Sequence, residues 1–184
     1  MVWIKEVYLA RITLLLAGLA ALIPWTVTIG RIADASPIII LRFPFAYIRH
    51  ISGHSSLDPM LITSPVGALR LEGGRIARSG ILPTIVVDPG VNVDLVYVYV
   101  LWIAGSCLLA VAVVIAILFW TEYLPHDTHS VDFPRVVGAL LAVTGLVFAV
   151  TSWGVWNYHP GITIPLGPIF LLVFGWMLIS ADRI

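Results

Sequence analysis

Cysteine is almost missing from this chain. The single Cys107 excludes an internal disulfide and any CxxC redox pair. Its apolar neighbours predict a small packing residue, since burial raises the pKa of a thiol and leaves it inert. Charge is also scarce. Asp, Glu, Lys and Arg make up 11% of the residues and cancel to a net charge of zero, where soluble domains carry about 25% charged residues. A neutral chain without a basic run gives no reason to expect nucleic acid, and no polybasic tail to hold anionic lipid. The chain has no GxSxG, no HExxH and no glycine-rich phosphate loop.

What the chain has in abundance is apolar sequence, 60% of its 184 residues. Leu95–Trp120 runs without charge, Pro, Asn or Gln, and at about 1.5 Å per residue it is long enough to cross a hydrocarbon core of about 30 Å. Similar runs predict a single membrane domain over 1–184, an all-α bundle of four transmembrane helices with spans at about 8–30, 95–120, 135–156 and 162–181. Arg11 would snorkel from the first span. Lys5, Arg11, the apolar stretch from Ile12 and Ala33-Asp34-Ala35 sketch a signal peptide. However, the stretch before that cleavage site is long and holds Arg31, so an uncleaved first span is expected. Asn92 or Asp94 can cap the second span, and Asp132 before Phe133-Pro134 the third.

Residues 31–94 form the large polar segment and read as a small, mostly antiparallel sheet of three or four strands between helices 1 and 2. Period-two alternation over Ile38–Arg49 predicts one strand, which Pro44 assigns to a sheet edge. Gly73-Gly74, between Leu69–Glu72 and Arg75–Arg78, predicts a two-residue hairpin with Glu72 facing Arg75 and Leu71 facing Ile76. Thr84–Val87 is a further strand, closed by Asp88-Pro89-Gly90.

Gly138, Ala142, Gly145, Ala149 and Ser152 recur at spacings of four and three, the pattern that lets helix backbones approach in lipid. The stripe serves packing within the bundle or between copies, and the sequence leaves both open. Tyr97, Trp102, Trp153 and Trp156 fall at one membrane boundary, Tyr8, Trp120 and Phe133 at the other. The positive-inside rule applies to loops shorter than about 60 residues, so despite its arginines the segment 31–94 is expected outside, with both termini cytoplasmic.

No histidine lies within a span, which disfavours a haem-holding bundle. His126 and His129 with Glu122 are too few converging ligands for a metal site, and His50 and His54 lie in a Ser/Gly-rich turn. Asp58 and Asp88 read as turn chemistry. No ionisable residue sits at mid-depth, which argues against ion or proton transport. No catalytic residue, cofactor or metal is expected.

Two resemblances follow. The span end Leu22-Ile23-Pro24-Trp25, then a strand-rich loop and three closely spaced spans, resembles the claudin-type four-span layout, in which the first outer loop forms a sheet over the helices. The tryptophan signature and cysteine pair of that family's loop are not present, so the resemblance implies architecture alone. Met1-Val2-Trp3, Pro24-Trp25-Thr26-Val27, Arg42-Phe43-Pro44 and Gly161–Gly167 resemble an uncharacterised family of small haloarchaeal membrane proteins, which implies no activity. The expectation is a non-enzymatic membrane protein in the lipid bilayer that docks a partner protein or a second copy through Arg42, Arg49, Arg70, Arg75 and Arg78. The alternative is a lipid- or quinone-binding carrier or enzyme with a groove between sheet and helices near Asp94, Tyr97 and Tyr99.

Overall fold

The computed structural model describes residues 2–4, 6–31, 36–52, 60–71, 74–79, 82–90, 92–121, 132–158 and 161–183. In chain order these form β1 (Val2–Ile4), α1 (Glu6–Leu22), β2 (Thr26–Arg31), β3 (Pro37–Arg42), β4 (Tyr47–Ile51), β5 (Met60–Thr63), α2 (Pro65–Leu71), β6 (Gly74–Ser79), β7 (Leu82–Val87), α3 (Val93–Trp120), α4 (Phe133–Tyr158), β8 (Ile162–Ile164), α5 (Leu166–Ile179) and β9 (Ala181–Arg183).

The expected bundle of four transmembrane helices is overturned. Among the described residues only α3 and α4 are long and apolar enough to cross a membrane. The run expected to cross at 8–30 divides. Pro24 cannot continue a helix and biases Ile23 away from helical geometry. The β-branched residues Thr26, Val27, Thr28 and Ile29 then suit a strand. The run expected at 162–181 divides in the same way, with Ile162–Ile164 as β8 before Pro165. What remains helical, α1 and α5, is about 26 and 21 Å long, short of a core of about 30 Å. The expected sidedness rested on four crossings, of which two have helices of sufficient length among the described residues.

The two displaced segments enter the sheet. A five-stranded antiparallel sheet has the order β5-β4-β3-β2-β8, N-terminal to the long helices except for β8. The single edge strand expected over Ile38–Arg49 is a hairpin instead. β3 is central, and Pro44 sits in the β3–β4 turn, closed by Phe43 N–H donating to the Ala46 carbonyl at 2.7 Å. The Gly73-Gly74 hairpin is also corrected. Leu69–Leu71 belong to α2, which Pro65 opens and where Ser64 Oγ accepts from Gly67 N–H at 3.1 Å. β6 pairs with β7, so Arg75 faces Val86. Thr84–Val87 is extended within β7 as expected.

The two faces of the five-stranded sheet differ. The inner face is buried and carries Thr28, Ile38, Ile40, Arg42, Tyr47 and Thr163. The register places Ile164, Val27, Leu41, Ile48 and Ile62 in one outer row across all five strands, and Ile162, Ile29, Ile39, His50 and Met60 in the next. We call these the near and far rows, by their distance from α1 and α5. Ile62, Ile162, Ile29 and Met60 are each more than half exposed.

Gly161 turns the chain into β8 at φ +125, and a Cβ there would lie 2.5 Å from the Ile29 carbonyl oxygen. Gly161→Ala is therefore expected to cost about 1–3 kcal/mol through strain at a left-handed position, read as a lowered thermal midpoint in detergent. An unchanged midpoint would show that the turn relaxes.

α3 and α4 run side by side. Asn92 caps α3, its side chain accepting from Asp94 N–H at 3.0 Å. At α4 the Asp132 carbonyl accepts from Val136 N–H at 3.0 Å, and its carboxylate lies 3.4 Å from Arg135. Trp25, between α1 and β2, stacks on Phe148 of α4 at 5.4 Å and meets Trp102 of α3 at 5.5 Å. Cys107, expected as a packing residue, is exposed on the outer face of α3.

Candidate functional site at the seam between sheet and helices

The seam is organised by Arg42, the last residue of β3. Its side chain is wholly buried. Ile38, Ile40 and Arg42 alternate onto the inner face, which aims the guanidinium at α3. One terminal nitrogen donates to Thr28 Oγ1 at 2.9 Å, and Thr28 shares a hydrogen bond of 3.0 Å with Thr163 Oγ1 of β8. The other donates to Tyr99 OH of α3 at 3.4 Å. The guanidinium carbon lies 5.7 Å from the Tyr47 ring centre and 6.0 Å from that of Tyr99, within cation–π range. Arg42 Nε has no hydrogen-bond partner among the described residues; neither do Trp25 Nε1 and Thr26 Oγ1 beside it.

The seam closes one turn further along. Trp102 Nε1 donates to the Phe43 carbonyl at 3.1 Å, and Ser106 Oγ donates to the Pro44 carbonyl. Trp25, Arg42, Val98, Tyr99, Trp102 and Val155 line a crevice of about 120 Å³ that is nowhere wide enough for a water molecule. A quinone or lipid headgroup has no room there in this conformation.

Chemically the site is a set of donors with no base. A guanidinium donates and offers no acceptor, and no carboxylate pairs with it among the described residues. No group of three or more His, Cys, Asp or Glu that could hold a metal ion occurs among the described residues. The arrangement ties β3, β2, β8 and α3 together around one desolvated charge.

The five arginines expected to share a surface are not equivalent. Arg42 is buried and out of a partner's reach. Arg49 is partly buried on β4, its Nε without a partner among the described residues. Arg70 is exposed in the last turn of α2. Arg75 and Arg78 lie on β6, and their side chains fall outside the described residues. His54, Asp58, Glu122, His126, His129 and His159 fall outside them too. His50 is exposed and lies 3.2 Å from Ser52 Oγ. Asp94 accepts from Tyr158 OH at 3.0 Å, while Tyr97 is exposed. The expected cluster of Asp94, Tyr97 and Tyr99 is therefore divided among three environments.

The small-residue stripe of α4 meets α5. A Cβ on Gly138 would lie 2.9 Å from the Gly175 carbonyl oxygen, and one on Gly175 2.7 Å from that of Gly138 and 2.9 Å from Ala142 N. Gly145 faces Leu171 and Leu172 of the same helix. Ala149 is partly buried, and Ser152 Oγ donates back to the Phe148 carbonyl at 2.6 Å.

Sequence reasoning placed Arg42 on the surface. The overlooked signal is the Ile38-x-Ile40-x-Arg42 alternation, masked by three consecutive isoleucines, beside Thr26-x-Thr28 on the adjacent strand. A family model described as a family of unknown function matches residues 2–183. No curated protein matches the chain.

Proposed function

From the premise that the chain belongs to the DUF7549 family of unknown function, we propose that it is a non-enzymatic, integral, multi-pass protein of the cell membrane that acts as a structural, accessory or assembly subunit. Its partner, or a second copy, docks on the α2–β6–β7 segment. The observation that carries the membrane reading is the apolar outer surface of the helices. Only a third of the apolar window of α3 is buried, and 44% of that of α4. Val111, Val114, Leu146, Val150, Val173 and Trp176 all face outward. In water a surface of this kind marks an interaction site or an aggregation liability, whereas lipid imposes no such limit.

Hydroxyls inside the helices support the same reading. Thr13, Thr144, Thr151 and Ser152 each donate to a carbonyl one turn back in their own helix, so none asks for water. For docking, Arg70, Arg75 and Arg78 lie on one stretch of chain from α2 to β6 that the sheet seam does not use.

Isolation from the native membrane in mild detergent, with cross-linking and mass spectrometry, tests both halves. The chain is expected in the membrane fraction with a stoichiometric companion, lost several-fold when Arg70, Arg75 and Arg78 are replaced by serine. A companion retained at full yield by that variant, or a chain that comes alone, would sink the docking half.

A further inference from the structure

We infer that the five-stranded sheet is seated in the membrane interface, with its outer face turned to lipid and the β3–β4 turn reaching hydrocarbon depth. The inference rests on the membrane reading above and goes beyond it, because a strand-rich segment of this kind reads by default as a domain in water.

Depth comes from α3 and α4. Tyr97 and Trp120 on α3, and Phe133 and Trp156 on α4, are separated by about 34 Å along the axis. That matches aromatic rings on either side of a core of about 30 Å. The sheet is registered against this ruler. Arg42, Phe43 and Pro44 bond in order to Tyr99, Trp102 and Ser106, so β3 runs alongside α3 in the same direction. Trp102 and Ser106 lie about 8 and 14 Å inside the level of Tyr97. The Phe43–Ala46 turn, with Phe45 46% exposed at its tip, is thus inside the aromatic ring. At about 3.3 Å per strand residue, the near row falls at the level of the ring and the far row about 6 Å outside it, among headgroups.

The side chains grade as this depth requires. Phe45 is deepest. The near row is entirely aliphatic, and the far row adds His50 and Met60. The exposed Arg31 and Ser52 lie beyond. The outer face carries on from the exposed ends of α1 at Leu22 and α5 at Ile169. The edge strands β5 and β8 leave backbone groups unpaired, which hydrocarbon does not tolerate, so their level at the boundary, where headgroups and water reach them, fits a seat no deeper than this.

The test is spin-label accessibility in nanodiscs of phosphatidylcholine and phosphatidylglycerol. Native Cys107, exposed on α3, is the membrane control. Phe45→Cys, Ile62→Cys and Ile29→Cys, each with Cys107→Ser, sample the turn, near row and far row. The ratio of collisions with oxygen to collisions with a water-soluble nickel chelate is expected to fall several-fold from Phe45 through Ile62 to Ile29. Nickel-dominated labels at all three sites, with Cys107 still oxygen-dominated, would overturn the inference and leave the membrane reading standing. Dipolar broadening at Ile62 would overturn it in favour of a second copy on the face. A nickel-dominated Cys107 would overturn the membrane reading itself.

Discussion

Replacing Gly175 by valine is expected to separate α5 from α4. The two helices cross with Gly138 and Gly175 at the contact, each one's missing Cβ position pressed against the other's carbonyl oxygen at 2.9 and 2.7 Å. The obstructing atoms are backbone, so no rotamer change relieves a clash, and the helices must move apart. Overpacking costs about 1–3 kcal/mol for modest additions and occasionally more. Here a whole branched side chain enters a backbone contact, and a loss of about 3 kcal/mol or more is expected. Close approach of this kind drives helix association in lipid, where burial of apolar surface gives little. The measurement is the unfolding midpoint in a denaturing-detergent titration, with Gly18→Ala as control. Gly18 has no neighbour within 4 Å of its Cβ position, so alanine there should be neutral or stabilising by up to about 1 kcal/mol through helix propensity. Equal midpoints for Gly175→Val and the unaltered chain would show that α4 and α5 do not rely on this contact.

The second large effect is a reversal of sign at the seam. Arg42 carries a buried charge with hydroxyls and aromatic faces for partners and no carboxylate among the described residues. Desolvating such a group costs several kcal/mol. Thr28→Val removes its shortest hydrogen bond and leaves the charge less satisfied, and a loss of about 1.5–3 kcal/mol is expected. Arg42→Met keeps most of the volume, discards the charge and is expected to be near neutral or stabilising, while Arg42→Ala leaves a void and loses about 2–5 kcal/mol, as for other large-to-small core changes. In the Arg42→Met background, Thr28→Val should then cost less, the remainder being the lost hydrogen bond to Thr163. Thermal unfolding of the four single and double variants reads the cycle. If Arg42→Met were instead the most damaging change, the guanidinium would have a role beyond knitting sheet to helices.

Arg42 shows why part of the site was illegible. In a list of residues an arginine next to Phe43-Pro44 reads as a solvated charge. Its burial depends on Thr28 and Thr163, which are 135 positions apart and meet when β8 returns to pair with β2. The Gly73-Gly74 hairpin failed for a local reason. Ser64-Pro65, a helix-opening pair, lies a few residues upstream and draws Leu69–Leu71 into α2. The α4 stripe was legible because spacings of three and four select one helix face whatever the partner, but that α5 is its partner appears when Gly175 is found opposite.

The sequence by itself determined the two long apolar helices, a cap for α3 at Asn92 or Asp94, and the face of α4 that packs closely. Each of these follows from short-range rules: hydropathy over a continuous run, capping preference, and side-chain periodicity. Pro24 and Pro165 mark where two apolar runs divide, and tertiary structure decided that the released segments pair with each other as β2 and β8. Hydropathy is the same for an isoleucine in a helix and in a strand, and what selects the strand is backbone pairing with residues far away in the chain. It also decided that Arg42 points inward. A strand's alternation defines two faces but does not say which one meets the helices, and that choice waits until β3 lies against α3 with Tyr99, Trp102 and Ser106 in place to receive it.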